Sequence, residues 1–280
     1  MKQNKTDPID VDKAWDALYS RLEKEQLLPN NMEDSPYRKR RILLQRVVAV
    51  AAICVGIIFS IFFLQNRDNS LLVLQNKENS GTLVATLKDG STVYLATDAS
   101  ISYPADFSSS QRKVKLIGNA LFYVTKDAKH PFVVDANGIT IEVVGTVFAV
   151  QSSPDNSFEL SVKEGKVKIH SKNNQTCIPV EAGETVQLNK NRLSKSGITN
   201  FRVFSNFTDK MCFKDEKLNN IIHSINTIYG SPKIIADKSL NNRTLTVTFE
   251  NVSIEAMTEL ICIALNLEQI NKQDTIFIRK

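Results

Sequence analysis

The sequence predicts a membrane-anchored chain with one transmembrane α-helix, then an all-β domain, then a small α+β domain of two β-α-β repeats. Three observations carry this prediction. Residues Val47 to Leu64 form an uncharged apolar run, short stretches of alternating apolarity fill 82–193, and strand and helix patterns alternate from about residue 209 onward.

The apolar run VVAVAAICVGIIFSIFFL is 18 residues long, about 27 Å of helix against a hydrocarbon core of about 30 Å. Val, Ile, Leu and Phe dominate it, and each favours insertion by roughly 0.3–0.6 kcal/mol. The residues after Leu64 are Gln65 and Asn66, which offer no small-residue cleavage site, so the run is read as a span and not a removed signal. Arg38, Lys39, Arg40, Arg41 and Arg46 crowd its upstream flank, whereas Arg67 stands alone in the ten residues downstream. The positive-inside bias therefore places the N-terminus in the cytoplasm and residues 66–280 beyond the membrane. That same cluster holds much of the net charge of +5, so the basic balance reports topology and membrane lipid, with no direct nucleic-acid partner implied. Ala52, Gly56 and Ser60 recur every four residues and give the helix one face of small side chains that permits close helix approach.

Upstream, residues 1–41 are too few to build a core of their own. Val11, Ala14, Trp15, Leu18 and Leu22 recur at three- and four-residue steps, which predicts one amphipathic helix between about Asp10 and Leu28. Asp10 or Asp12 stands near its start. The stripe carries the chain's single tryptophan, and docking into a partner's groove is what an isolated helix of this kind needs to become stable. Pro29 to Pro36 reads as a spacer.

Beyond the span, 66–81 is expected to be a linker. In 82–193, Leu83, Ala85 and Leu87 alternate up to Asp89-Gly90, and Val93 and Leu95 resume after it. Glycine accepts the positive φ that a tight hairpin turn requires, so this is a hairpin signal. Equivalent units follow at Val114 and Leu116 before Gly118-Asn119, at Ile139, Ile141 and Val143 before Gly145, at Leu160 and Val162 before Glu164-Gly165, and at Val186 and Leu188 after Gly183-Glu184. After an expected linker over 194–208, Leu218, Ile221, Ile222, Ile225 and Ile228 take helical spacing, Gly230 and Pro232 end the helix, and Lys233 to Ala236 reads as a strand. Leu245, Val247 and Phe249 form the next strand, Ser253 is the expected N-cap of a helix lined by Ile254, Met257, Ile261 and Ala264, and Ile276 and Ile278 close with a strand. A shift of 36 residues lays Phe213 on Phe249, Ile221 on Met257 and Ile225 on Ile261, the mark of a duplicated β-α-β unit.

Leu87 to Leu95 (LKDGSTVYL), Gly118 to Val124 (GNALFYV), Pro131 to Val134 (PFVV), Val144 to Val150 (VGTVFAV) and Val162 to Val167 (VKEGKV) follow one another in an order and spacing that resemble the periplasmic domain of FecR-type anti-sigma regulators. Asn119 departs from the acid usual there. The duplicated unit resembles the short module at the N-termini of secretins and TonB-linked transporters, which also ends many FecR-type proteins of Bacteroidetes; Phe207 stands where Trp is common. The resemblance implies an inner-membrane, single-pass anti-sigma factor that relays the state of a TonB-dependent outer-membrane transporter to an extracytoplasmic-function sigma factor. The transporter's signalling domain would meet the periplasmic region, and Val11, Trp15, Leu18 and Leu22 would grip the sigma factor. Family members usually carry several cytoplasmic helices, where here one precedes the spacer. Regulated proteolysis is the expected relay, because one helix transmits poorly by rigid motion.

No phosphate loop, nucleophile elbow or zinc-protease motif appears, and His130, His170 and His223 are scattered, so no catalytic residue, cofactor or metal is expected. Asp106 with Asp127 is a carboxylate pair that nothing in the sequence brings together. Of the four cysteines, Cys54 lies in the apolar run; a bridge between Cys212 and Cys262 is one option in an oxidising compartment and packing thiols are the other. The alternative reading of the whole chain is a glycan-binding or scaffold protein of the envelope.

Overall fold

The computed structural model describes residues 10–27, 52–53, 55–60, 71–77, 81–108, 110–153, 157–171, 177–189 and 192–280. The chain divides into two units, Met1–Asp68 and Asn69–Lys280. In the first, α1 runs from Val11 to Lys24. Asp10 caps it through a hydrogen bond that its Oδ1 accepts from the Lys13 N–H at 3.3 Å, and Asp12 in the first turn and Arg21 and Lys24 in the last complement the helix dipole. Of the expected span, residues 52, 53 and 55–60 are described, as helical and exposed; the rest of Val47–Leu64, the spacer and the five basic residues lie outside the described residues. Among the described residues no helix is long and apolar enough to cross a membrane.

The second unit is mostly β-sheet. Its first strands are β1 (Leu71–Gln75), β2 (Thr82–Thr86), β3 (Thr92–Leu95), β4 (Ser100–Pro104), β5 (Arg112–Ile117), β6 (Ala120–Tyr123) and β7 (Phe132–Ala136). They continue through β8 (Ile139–Val143), β9 (Val147–Ser152), β10 (Phe158–Glu164), β11 (Lys166–Ser171), β12 (Cys177–Glu181), β13 (Glu184–Asn189) and β14 (Arg192–Gly197). A short helix α2 (Arg202–Ser205) leads into β15 (Lys210–Lys217), α3 (Leu218–Tyr229), β16 (Lys233–Ala236), β17 (Thr244–Glu250), α4 (Ile254–Leu265), β18 (Glu268–Lys272) and β19 (Thr275–Arg279).

The predicted turn at Asp89-Gly90 joins antiparallel neighbours, β2 with β3, whereas Gly183-Glu184, expected to open a hairpin unit, lies between β12 and β13, which belong to different sheets. Gly118 also stands at a crossing between sheets. It links β5 to β6, which belong to different sheets, and its φ of +87° would bring a Cβ to within 2.9 Å of the Ala99 Cα, so glycine is required on both counts.

One sheet has the order β1-β4-β5-β7-β8-β11-β12 and a second β14-β13-β10-β9-β6-β3-β2-β15-β17; β16-β19-β18 makes a third. The first two bury a shared core in which Phe122 stacks on Phe148 at 5.0 Å and meets Phe132 edge-on at 6.2 Å. The other face of the nine-stranded sheet carries a second core. There Val84, Tyr94, Leu121, Tyr123 and Ala149 pack with Phe204 of α2 and with Phe213, Ile221, Ile225, Met257, Ile261, Ile276 and Ile278 from the duplicated unit. Residues in the middle of that sheet are therefore buried on both faces, which is why β3 and β6 are buried at every position and read as unbroken apolar runs.

Three expectations need correction. Leu71–Gln75, inside the expected linker 66–81, is a strand: its apolar run pairs with β4 and sets Leu74 against the core. The expected linker 194–208 contains the end of β14 and all of α2, with Val203, Phe204 and Phe207 buried in the second core; β14 has little apolar signal because ladder hydrogen bonds to β13 hold it. The all-β and α+β regions are also continuous, because β15 pairs in parallel with β2. Within the second region both β-α-β units form as expected, with Ser253 Oγ accepting from the Ala256 N–H at the start of α4 and Gly230 ending α3.

Candidate partner-binding surfaces

The stripe on α1 is built by spacing alone. Taking 100° per residue, Val11, Trp15, Leu18 and Leu22 fall within about one sixth of the circumference, and none of the helix's residues is buried. Trp15 is 57% exposed, Val11 and Leu18 are exposed, and Leu22 is half-buried. Tyr19, four residues after Trp15 and exposed, extends the same face; its i+4 spacing was there to be read. Of the small residues in the apolar run, Ala52, Gly56 and Ser60 are all described, helical and exposed, and a Cβ on Gly56 would meet nothing within 4 Å. Arg38, Lys39, Arg40, Arg41 and Arg46 lie outside the described residues.

In the second unit the polar residues of the turn motifs organise a junction. Asp89, in the β2–β3 turn, accepts from the Ser91 N–H at 3.1 Å and the Ser91 hydroxyl at 2.6 Å, and its Oδ2 also accepts from Arg112 Nη1 at 2.7 Å. Arg112 donates further to the carbonyls of His130 (2.8 Å) and Thr125 (3.1 Å) and lies 5.4 Å from the Phe132 ring centre. Ser91 Oγ accepts from the Thr125 N–H at 3.1 Å. One buried ion pair thus ties the hairpin turn, the start of β5 and the loop from β6 to β7. Asn119 is held just as specifically. Its Oδ1 accepts from the Ser152 N–H at 2.9 Å, a contact for which an Asp oxygen and an Asn oxygen are equivalent.

Asp106 and Asp127 line one surface hollow of about 340 Å³ with Arg112 and His130, but each is engaged separately. Asp106 accepts from Lys88 at 2.6 Å, and Asp127 lies 2.7 Å from His130 Nδ1. The His130 hydrogen bond holds the Asp127 carboxyl below its usual range, the opposite of a poised general acid. A larger hollow, about 660 Å³, is lined by polar groups including Asp98, Lys115, Asn119, Asp135 and Asn137, with no aromatic ring among its described lining. Cys177, Cys212 and Cys262 are free thiols, so the Cys212–Cys262 bridge is not formed; burial pushes the Cys262 thiol up. Cys177 Sγ sits 3.9 Å from His170 Nε2 across the β11–β12 pair, at an exposed position. Among the described residues no three His, Cys, Asp or Glu side chains gather as a metal site.

Two crystal structures of a candidate anti-sigma factor from Parabacteroides distasonis ATCC 8503, at 2.50 and 1.65 Å resolution, are similar to this chain. Each has 22% sequence identity and a TM-score of 0.47, covering 75% of this chain and 99% of that chain. No curated protein matches. The family model described as FecR protein matches residues 78–168, and the one described as FecR, C-terminal matches residues 210–278. The first match takes in β2 to β10 and the first half of β11, and the second the duplicated β-α-β region; together they span more than half of the 280 residues, and the chain belongs to the FecR family.

Proposed function

We propose that this FecR-family chain is a transmembrane anti-sigma factor, anchored by a single pass in the inner membrane with its N-terminus cytoplasmic and its C-terminus periplasmic. The observation that carries the reading is the pairing of two unlike parts on either side of one basic-then-apolar stretch. Upstream lies a short helix with every apolar side chain unburied or half-buried, and downstream lies a two-core β-rich unit. A 14-residue helix with no core of its own gains stability by laying its stripe in a partner's groove. The partner that family membership implies is an extracytoplasmic-function sigma factor. The periplasmic unit would receive its signal from the signalling domain of a TonB-dependent outer-membrane transporter, and cleavage of the chain would free the inner segment. The role is regulatory and not catalytic.

Co-purification of residues 1–46 with an extracytoplasmic-function sigma factor from the same organism tests the central contact. Trp15→Ala with Leu18→Ala should weaken it by about 2–4 kcal/mol, the range of aromatic hot spots; retention of full affinity would remove α1 from the contact. A reporter active only outside the cytoplasm, fused after Lys280, should be active. Signalling by an uncleavable variant at the normal level would eliminate the proteolytic step.

A further inference from the structure

An edge strand exposes unpaired backbone N–H and C=O groups, and natural sheets blunt such edges with charge or proline. Five edges of this unit follow that practice: β12 carries Pro179 and Glu181, β14 Arg192 and Lys195, β16 Lys233, β17 Glu250, and β18 Glu268 and Lys272. The sixth edge does not. β1 reads Leu-Leu-Val-Leu-Gln, without charge, proline or glycine, and Leu71 and Val73 are each 63% exposed.

The three strands at this end of the sheet carry only basic charge, and the next strand, β7, sets Asp135 opposite Lys115. Val73 lies opposite Ser102, which lies opposite Lys115; Gln75 lies opposite Ser100, which lies opposite Ile117; and Leu71 lies opposite Pro104. The outward side chains of β1, β4 and β5 are thus Leu71, Val73, Ile117, Lys113 and Lys115 among small polar groups, and no Asp or Glu occurs in the three strands. Chain length limits what can reach this face. Six residues, 65–70, separate Leu64 from Leu71, and seven Cα steps at full extension span about 25 Å.

From these observations we infer that the β1–β4–β5 face rests on the membrane surface, with Leu71 and Val73 in the headgroup–acyl boundary and Lys113 and Lys115 against anionic phospholipid headgroups. The inference rests on the anchored reading above. Apolar side chains beside lysines, with no acid on β1, β4 or β5, match an interface that offers hydrocarbon below and negative charge above. A second copy pairing edge to edge would cover the ladder of β1 but leave the lysine-bearing face open, whereas the bilayer takes that face and leaves the ladder to headgroups and water. Docked in this way, the unit is held in one orientation, so a ligand arriving from the far side meets a fixed surface.

The full chain in nanodiscs of phosphatidylcholine and phosphatidylglycerol, with bromine on the acyl chains, provides the test. Single-tryptophan variants combine Trp15→Phe with Ile58→Trp, Leu71→Trp or Ser196→Trp. Bromine should quench most of the emission of the first two and little of the third, which lies on β14. Lys113→Glu with Lys115→Glu should remove the quenching of the Leu71→Trp variant while sparing that of Ile58→Trp. In the unaltered chain, hydrogen exchange across Leu71–Gln75 should slow when phosphatidylglycerol replaces part of the phosphatidylcholine. Quenching at position 58 without quenching at 71 overturns the surface contact and leaves the anchor standing. Exchange protection of β1 with two chains per disc and no quenching at 71 assigns the edge to a second copy and also overturns it. Absence of quenching at 58 removes the anchor itself, and the inference with it.

Discussion

Arg112 shows how much a single side chain is asked to do. Its side chain is 5% exposed and that of its partner Asp89 is 11% exposed, so the charge is out of water and depends on the carboxylate. Asp89→Ala strands a buried cation and two Ser91 donors and should cost about 3–5 kcal/mol, read as a lower urea midpoint at unchanged slope; Asp89→Asn should recover part of it. Gly118→Ala should also destabilise, by at least about 1 kcal/mol, because the new methyl meets Ala99 at a positive φ. The tyrosines that β3 and β6 contribute to the second core set an alkaline limit. Burial, with the charges of Glu164 and Tyr229, pushes Tyr123 up to about 12 from a starting value of 10.0, and burial pushes Tyr94 well above it. A phenol whose folded pKa is raised binds its proton longer in the native state, so stability is fully present below pH 10 and lost as pH rises through 12. Melting temperatures between pH 8 and 12 should show that decline, and Tyr123→Phe should flatten it. The motifs around Asp89, Gly118 and Asn119 were legible as turn grammar, but that Asp89 reaches across 23 residues to Arg112 was not, because no local pattern encodes a contact between loops.

Among the elements, the helices were the easiest to read. The i, i+3, i+4 spacing placed α1, α3 and α4, and the 36-residue shift paired Ile225 with Ile261, both fully buried in the second core. Equivalent positions should have equivalent energetics: Ile225→Ala and Ile261→Ala should each cost about 2–5 kcal/mol, with the spread reporting how well each site collapses around its cavity, as measured by equilibrium unfolding in urea. Strands were harder to read. β5 announces itself by strict alternation of buried and exposed residues, whereas β1 is apolar at four successive positions and β14 at scarcely any. Both lie at sheet edges, where one partner strand suffices and the two-faced environment that imposes alternation is incomplete.

At the scale of the whole molecule, the consequential feature is the nine-stranded sheet that runs through both family-matched segments. Met211 and Cys212 pair with Thr82 and Leu83, and one apolar cluster joins the β3, β6 and β9 faces to the helices of the duplicated unit. Residues 69–280 should therefore unfold in one cooperative step, with equal calorimetric and van't Hoff enthalpies. A chain ending at residue 209 should expose Val84, Tyr94, Leu121 and Tyr123 and bind a hydrophobic dye. The consecutive apolar residues Ala120-Leu121-Phe122-Tyr123 were the one hint of a covering layer, since a strand with a solvated face would alternate. By itself, the sequence determined the kinds of element, most of their limits, the duplication and the family, because helical spacing, strand alternation and turn chemistry are each written within a few neighbouring residues. Only the tertiary structure decided which strands share a sheet, that β5 and β6 part company at Gly118, and that β2 pairs with β15 across more than a hundred residues. Backbone ladders accept almost any apolar strand, so the choice among them is made by how the faces bury one another.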